Sequence, residues 1–291
     1  MKKFMILTDS CSDLSRETRE KYSIDYVQMN ITYDDKELPA SLDWDIYTPS
    51  ELYGLMKAGT RIRTTQVPPV AFEAAFTKYL EEGRDVVYIA CSSALSGSVN
   101  TAKVIADELN GKYKNKVYCV DTLCSCMGEG LMAIDAAVLR DSGKSAQEVA
   151  EIIDADKLKY LQFATVGDLT YLKRAGRVKA SAAFFGNLFG VKPIIISNRA
   201  GENFAFKKVK GRKNSLDEIV NLAKENIENP TEQIIAIMHA DCIESAQYLK
   251  DRVEKELCPK EVYLNYIGPI IGASVGPDTV AIYCKGKAVE V

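Results

Sequence analysis

Residues 85–109 read DVVYIACSSALSGSVNTAKVIADEL. The apolar run 85–90 is rich in Val, Ile and Tyr, as strands prefer, and a helical pattern over about 99–109 follows it. Between the two crowd Ser92, Ser93, Ser96 and Ser98, with Gly97 among them. A strand that hands over to a helix is the repeating unit of an α/β chain, and the alternation recurs along the sequence. The predicted strands are 3–7, 26–32, 85–90, 116–120, 161–166, 192–196, 234–238, 261–266 and 279–284.

A chain of 291 residues can bury a large core, and two domains are expected. The boundary falls near residue 158. A parallel α/β domain over 1–158 carries the hydroxyl-rich stretches, and a second α/β domain over 159–291 has a mixed or antiparallel sheet. The second expectation rests on the runs 192–196 and 204–209, which flank Asn198-Arg199-Ala200-Gly201 and read as a hairpin. Capping boxes mark helix starts at Thr48-Pro49-Ser50-Glu51, Ser145-Ala146-Gln147-Glu148 and Ser215-Leu216-Asp217-Glu218, and Gly59 and Gly143 read as helix stops.

Composition excludes several classes. Apolar residues make up 47% and charged residues 26%, ordinary for a globular protein, and the net charge of −3 offers no basic field for nucleic acid. No apolar run reaches the ~18 residues of a membrane span. In MKKFMILTDS the apolar stretch is too short for a signal core and reads as a first strand. The eight cysteines form no C-x-x-C pair and read as reduced thiols of a cytoplasmic protein. Cys119, Cys124 and Cys126 are close in sequence but lack a second ligand pair, so they read as small buried hydrophobes; no metal and no cofactor is expected.

The chain has no G-x-G-x-x-G, Walker, G-x-S-x-G or H-E-x-x-H motif, and its only histidine, His239, ends a strand. Three hydroxyl-rich stretches remain: Thr8-Asp9-Ser10-Cys11-Ser12-Asp13, Arg63-Thr64-Thr65-Gln66, and Ser92 to Ser98. The first and third lie at carboxyl ends of strands, where ligands of open α/β sheets bind beside helix N-termini. Hydroxyls add donors without adding charge, which suits a buried carboxylate. Ser96 or Ser98 also reads as the cap of the following helix, with Gly97 supplying the turn. Four serines and a Thr-Thr-Gln stretch exceed what one cap needs.

The segments ILTDSCSDLS, RTTQVPP, SSALSGSVNTA, VDTLCSCMGEG, LTYLKRAGRVKASAAFFGNLFGVKPII and IGPIIGASVGP appear in this order across nearly the whole chain. Together they closely resemble the DegV family of bacterial fatty-acid-binding proteins. The resemblance implies two α/β domains with one long-chain fatty acid, of the palmitate kind, between them. It implies a carboxylate held by hydroxyls of the T-S-Q and S-S-x-x-S-G stretches and, for some members, a kinase partner that phosphorylates the bound acid. Matched residue by residue, these stretches are Thr64-Thr65-Gln66 and Ser92, Ser93, Ser96 and Gly97. Thr64 and either Ser93 or Ser96 are the expected donors. Ser274 stands where the family usually has a histidine, which keeps a hydrogen-bonding group but removes a possible cation and proton carrier. Phe184, Phe185 and Leu188 are candidates for the tunnel lining, and core packing explains them as well. The basic stretch 174–179 reads equally as a partner-facing surface or a solvated turn.

The leading expectation is therefore a lipid carrier without chemistry of its own. Burying roughly fifteen methylenes at ~0.8 kcal/mol each gives about 12 kcal/mol before association costs of several kcal/mol. The alternative is a phosphoryl- or acyl-transfer enzyme with Ser93 or Ser96 as nucleophile, which needs Asp9, Asp121 or His239 within reach as base. A third reading is an interaction module in which the lipid is a structural filler.

Overall fold

A computed structural model describes residues 2–181, 184 and 190–290. The first half runs β1 (Phe4–Asp9), α1 (Arg16–Tyr22), β2 (Ile24–Val27), β3 (Asn30–Tyr33), β4 (Lys36–Pro39), α2 (Pro49–Lys57), β5 (Arg63–Thr65), α3 (Pro69–Glu81), β6 (Asp85–Ala90), α4 (Ser98–Lys112), β7 (Val117–Asp121), α5 (Met127–Asp141) and α6 (Ala146–Asp156). The second runs β8 (Tyr160–Thr165), α7 (Leu169–Ala175), β9 (Val191–Ser197), β10 (Asn203–Lys210), α8 (Arg212–Asn226), β11 (Ile234–His239), α9 (Ile243–Leu257), β12 (Glu261–Tyr266), α10 (Pro269–Val275) and β13 (Val280–Lys285). Among the described residues, no helix is long and apolar enough to cross a membrane.

The fold is mixed α/β. A parallel sheet of order β2-β1-β6-β7 draws all its strands from the first half, and a six-stranded sheet of order β10-β9-β8-β13-β11-β12 draws all its strands from the second. In the second sheet only β11 and β12 pair in parallel, and β9 and β10 form the expected hairpin. A small antiparallel sheet, β4-β3-β5, completes the set.

The predicted strand 26–32 is two strands in two sheets. The Ser10 hydroxyl, just past β1, accepts the Met29 N–H at 3.0 Å and donates to Ala40 O at 2.8 Å. That hydroxyl takes the amide a continuing strand would use, so the chain turns away into β3. The third predicted helix start is also displaced. Gly211, at φ 83°, ends β10, and α8 begins at Arg212. Ser215 lies inside the helix and donates to Arg212 O. The other two capping boxes form as the spacing predicts. Ser145→Ala therefore lowers stability by about 1 kcal/mol, read as a lower urea midpoint at unchanged slope.

Alternation along the second sheet gives it two different faces. Leu161, Phe163, Ile194, Ile235, Ile237, Val280 and Ile282 point into a core shared with α8 and α9. Ala164, Ile195, Ala236 and Ala281 point the other way, into the core that contains the parallel sheet. The first face is filled by large aliphatic and aromatic side chains, and the second sets alanines beside Ile195, Tyr160, Met238 and Tyr283.

Candidate functional site

A cavity partly open to solvent lies against part of that second face, at Ala164, Ile195, Ala281 and Tyr283. Ile195, Ala164 and Ala281 form one row across it, because Ala164 pairs with Ile195 on one side and with Ala281 on the other. Val166, Leu172, Ile270 and Ile271 add apolar wall. The opposite wall is built where strands of the parallel sheet end: Cys11 follows β1, Cys91 follows β6 and Ser125 follows β7.

Thr64, Thr65, Gln66, Ser96, Gly97 and Ser274 line this cavity, so folding brings together three segments far apart in sequence. Thr64 is placed by β5, where it pairs with Ile31. The Ser98 hydroxyl accepts the Val67 N–H at 3.2 Å, which ties the Thr-Thr-Gln stretch to the start of α4. Ser98 Oγ lies 3.0 Å from Ser96 Oγ. The free N–H groups of α4's first turn begin beside these hydroxyls and favour an anion there. The expected serine cap is absent: the N-cap is Gly97, with no side-chain cap bond, although Ser96 Oγ accepts the Ser98 N–H at 3.3 Å. Gly97 has φ −74°, so it is not there for a left-handed turn. A Cβ on it would sit 2.5 Å from Gln66 Oε1, the far end of a flexible side chain that packs against this glycine.

Ser93 is exposed, donates its N–H to Asp121 Oδ1 at 3.1 Å and is not among the lining residues. Ser92 is buried and spends its hydroxyl on Gly201 O at 2.8 Å. Phe184 packs half-buried at the edge of the first core, outside the lining, and Phe185 and Leu188 lie outside the described residues. Sequence reasoning missed Gln162 and Asn203 and had flagged Arg177 only as part of the basic stretch 174–179. Gln162 Nε2 donates to Asn203 Oδ1 at 3.0 Å, and Asn203 Nδ2 donates to Arg177 O at 3.1 Å. Gln162 interrupts an otherwise apolar strand, which was the available signal.

A second recess adjoins the first and shares Thr64, Arg177 and Ser274 with it. Arg61, Arg63, Arg174 and Arg177 all line it. The hydroxyl stretches themselves contain only Arg63; folding brings Arg61, Arg174 and Arg177 to the same recess, with the Arg177 guanidinium donating to Leu95 O and Ala175 O.

The bases that an enzyme reading needs are engaged elsewhere. His239 is buried against the Tyr266 ring, 4.3 Å between centroids, its Nδ1 accepts the Cys242 N–H at 3.3 Å, and burial lowers its pKa. Asp9 accepts from Tyr88 Oη at 2.6 Å and from the Cys11 and Cys91 amides at 2.8 and 3.3 Å. Asp121 Oδ1 accepts the Ser93 and Leu123 amides. Among the described residues no hydrogen bond joins any of the three to the hydroxyl of Ser93 or Ser96.

The family model described as "Uncharacterised protein, DegV family" matches residues 3–286. A DegV domain-containing protein of Clostridium perfringens is 36% identical over 291 residues, 100% of both chains. One from Streptococcus pyogenes serotype M3 is 30% identical over 285 residues, 98% of both chains. Among solved structures, a fatty-acid-binding DegV family protein from Thermus thermophilus superposes with TM-score 0.89 at 26% identity, covering 99% of this chain and 100% of that one. DegV from Bacillus subtilis, described as a fatty acid binding protein, does so with TM-score 0.84 at 25% identity, again covering 99% and 100%.

Proposed function

The chain belongs to the DegV family, and from that premise we propose that it binds one long-chain fatty acid between its two halves and carries it. The observation that bears most weight is the pairing of an apolar floor, Ile195-Ala164-Ala281, with uncharged donors from Thr64, Ser96 and Ser274 in one cavity. The acyl chain lies on the floor and supplies affinity, and the hydroxyls with the α4 N-terminus orient the carboxylate. Ser96, which faces the cavity, is the donor from its stretch, and Ser93 is not. The halves 1–158 and 159–291 act as the two domains of a cytoplasmic carrier, with no catalytic step. Solved DegV structures of similar fold that are described as fatty acid binding support this reading.

Lipid extraction and native mass spectrometry of the freshly purified chain test it. A co-purifying long-chain acid is expected, and a chain that arrives empty and ignores added palmitate refutes it. Thr64→Ala with Ser96→Ala is expected to weaken palmitate binding by about 100-fold or more, since hydrogen bonds to a charged group contribute about 1.5–3 kcal/mol each and about 1.4 kcal/mol is tenfold. Ser93→Ala leaves binding unchanged.

Delivery to a fatty acid kinase is the extension that the arginine-lined recess supports. Arg61, Arg63, Arg174 and Arg177 line that recess beside Thr64 and Ser274, where a phosphorylated head group or an acidic partner surface would sit.

A further inference from the structure

The cavity wall at Cys11 and Cys91 carries a cluster to which the fatty acid reading gives no role. Cys11 Sγ, Cys91 Sγ and a carboxylate oxygen of Glu129 lie within 4.8 Å of one another, and all three residues are buried. They come from the ends of β1 and β6 and from the first turn of α5. Met29 Sδ lies 3.6 Å from Cys11 Sγ. We propose that Cys11, Cys91 and Glu129 form a binding site for a thiophilic divalent metal ion of the zinc type.

Four observations carry this. First, the donor set of two sulfurs and one oxygen is one that zinc accepts, and tetrahedral zinc holds such donors about 3.5–3.8 Å apart. The present spacing closes to that with side-chain shifts of about 1 Å. Second, Glu129 is fully buried, and its Oε2 finds no hydrogen-bond partner. An orphaned carboxylate oxygen in the interior is costly, and a metal bond satisfies it. Third, an outer shell is in place. Asp9 accepts the amide N–H of both cysteines, Tyr88 holds Asp9, and the Thr8 hydroxyl donates to Glu129 Oε1. Such partners fix the ligands of natural metal sites. Fourth, Cys11 and Cys91 line the cavity, which provides the entry path.

On binding, each thiol loses its proton to solvent as its metal–sulfur bond forms, and Glu129 binds as carboxylate. Any proton on the Glu129 carboxyl leaves to solvent in the same step. No electron is transferred.

The test uses the full chain, reduced, stripped with a chelator and incubated with zinc chloride. One zinc per chain should survive gel filtration. Cys91→Ser should lower zinc affinity by at least about 100-fold, since even outer-shell partners contribute about 10- to 100-fold. Cys258→Ser, which removes the exposed thiol, should leave it unchanged. Cobalt chloride gives a second readout that needs no variant: a thiolate-to-cobalt charge-transfer band should appear. Absence of zinc from the wild-type chain, absence of that band, or equal zinc uptake by a folded Cys11→Ser/Cys91→Ser double variant would each overturn the proposal.

Discussion

Ala164→Phe is expected to weaken long-chain fatty acid binding by about 100-fold or more while leaving the protein folded. Ala164 sits in the middle of the row Ile195-Ala164-Ala281, with its side chain on the cavity side of the second sheet. A phenyl ring there occupies the space of about three or four methylenes. At ~0.8 kcal/mol each, the lost contact amounts to about 3 kcal/mol, which is roughly 100-fold in affinity. Overpacking usually destabilises a core by about 1–3 kcal/mol, but here the added ring enters open volume rather than filled interior. Displacement of a fluorescent fatty acid measures the first effect, and a thermal unfolding midpoint close to that of the parent measures the second. A well-folded variant that binds palmitate normally shows that the acyl chain does not lie on this floor.

Phe72→Ala gives the largest expected loss of stability, about 3–5 kcal/mol. Phe72 is fully buried on α3, with its ring 5.6 Å from Phe76 and 5.2 Å from Tyr88, edge-on to the latter. Truncation removes the transfer energy of the ring and leaves a void against β6, which packing across a rigid sheet cannot close. The same helix supplies a control. Val70 is 72% exposed, so Val70→Ala should change stability by less than about 0.5 kcal/mol. Chemical denaturation of both variants decides the matter, and a Phe72→Ala loss no larger than that of Val70→Ala would show that α3 does not pack as described. Tyr88 also holds Asp9, so the truncation loosens the strand ends beside the cavity as well.

Much of this architecture was legible because local rules wrote it. The Val, Ile and Tyr run of β6 fits a pleated, buried strand, and the structure has it over the predicted residues. Thr48 and Ser145 cap their helices because a hydroxyl three residues before a glutamate closes two backbone bonds locally. The α/β class and the β9–β10 hairpin follow from the same short-range signals. The reading failed where a distant group intervened. Ser10 captures the Met29 amide and splits one predicted strand in two, and no pattern within 26–32 records that contact.

The site divides along the same line. Sequence alone determined which stretches are rich in donors, and that they sit at strand ends beside a helix N-terminus, because residue type and element boundary are local properties. Only the tertiary structure decided that Ser96 faces the cavity and Ser93 faces solvent, that four arginines line the adjoining recess, and that Cys11, Cys91 and Glu129 converge at the cavity wall. Those outcomes depend on how two sheets pack and on which face each strand turns inward, and residues up to more than a hundred positions apart set them jointly.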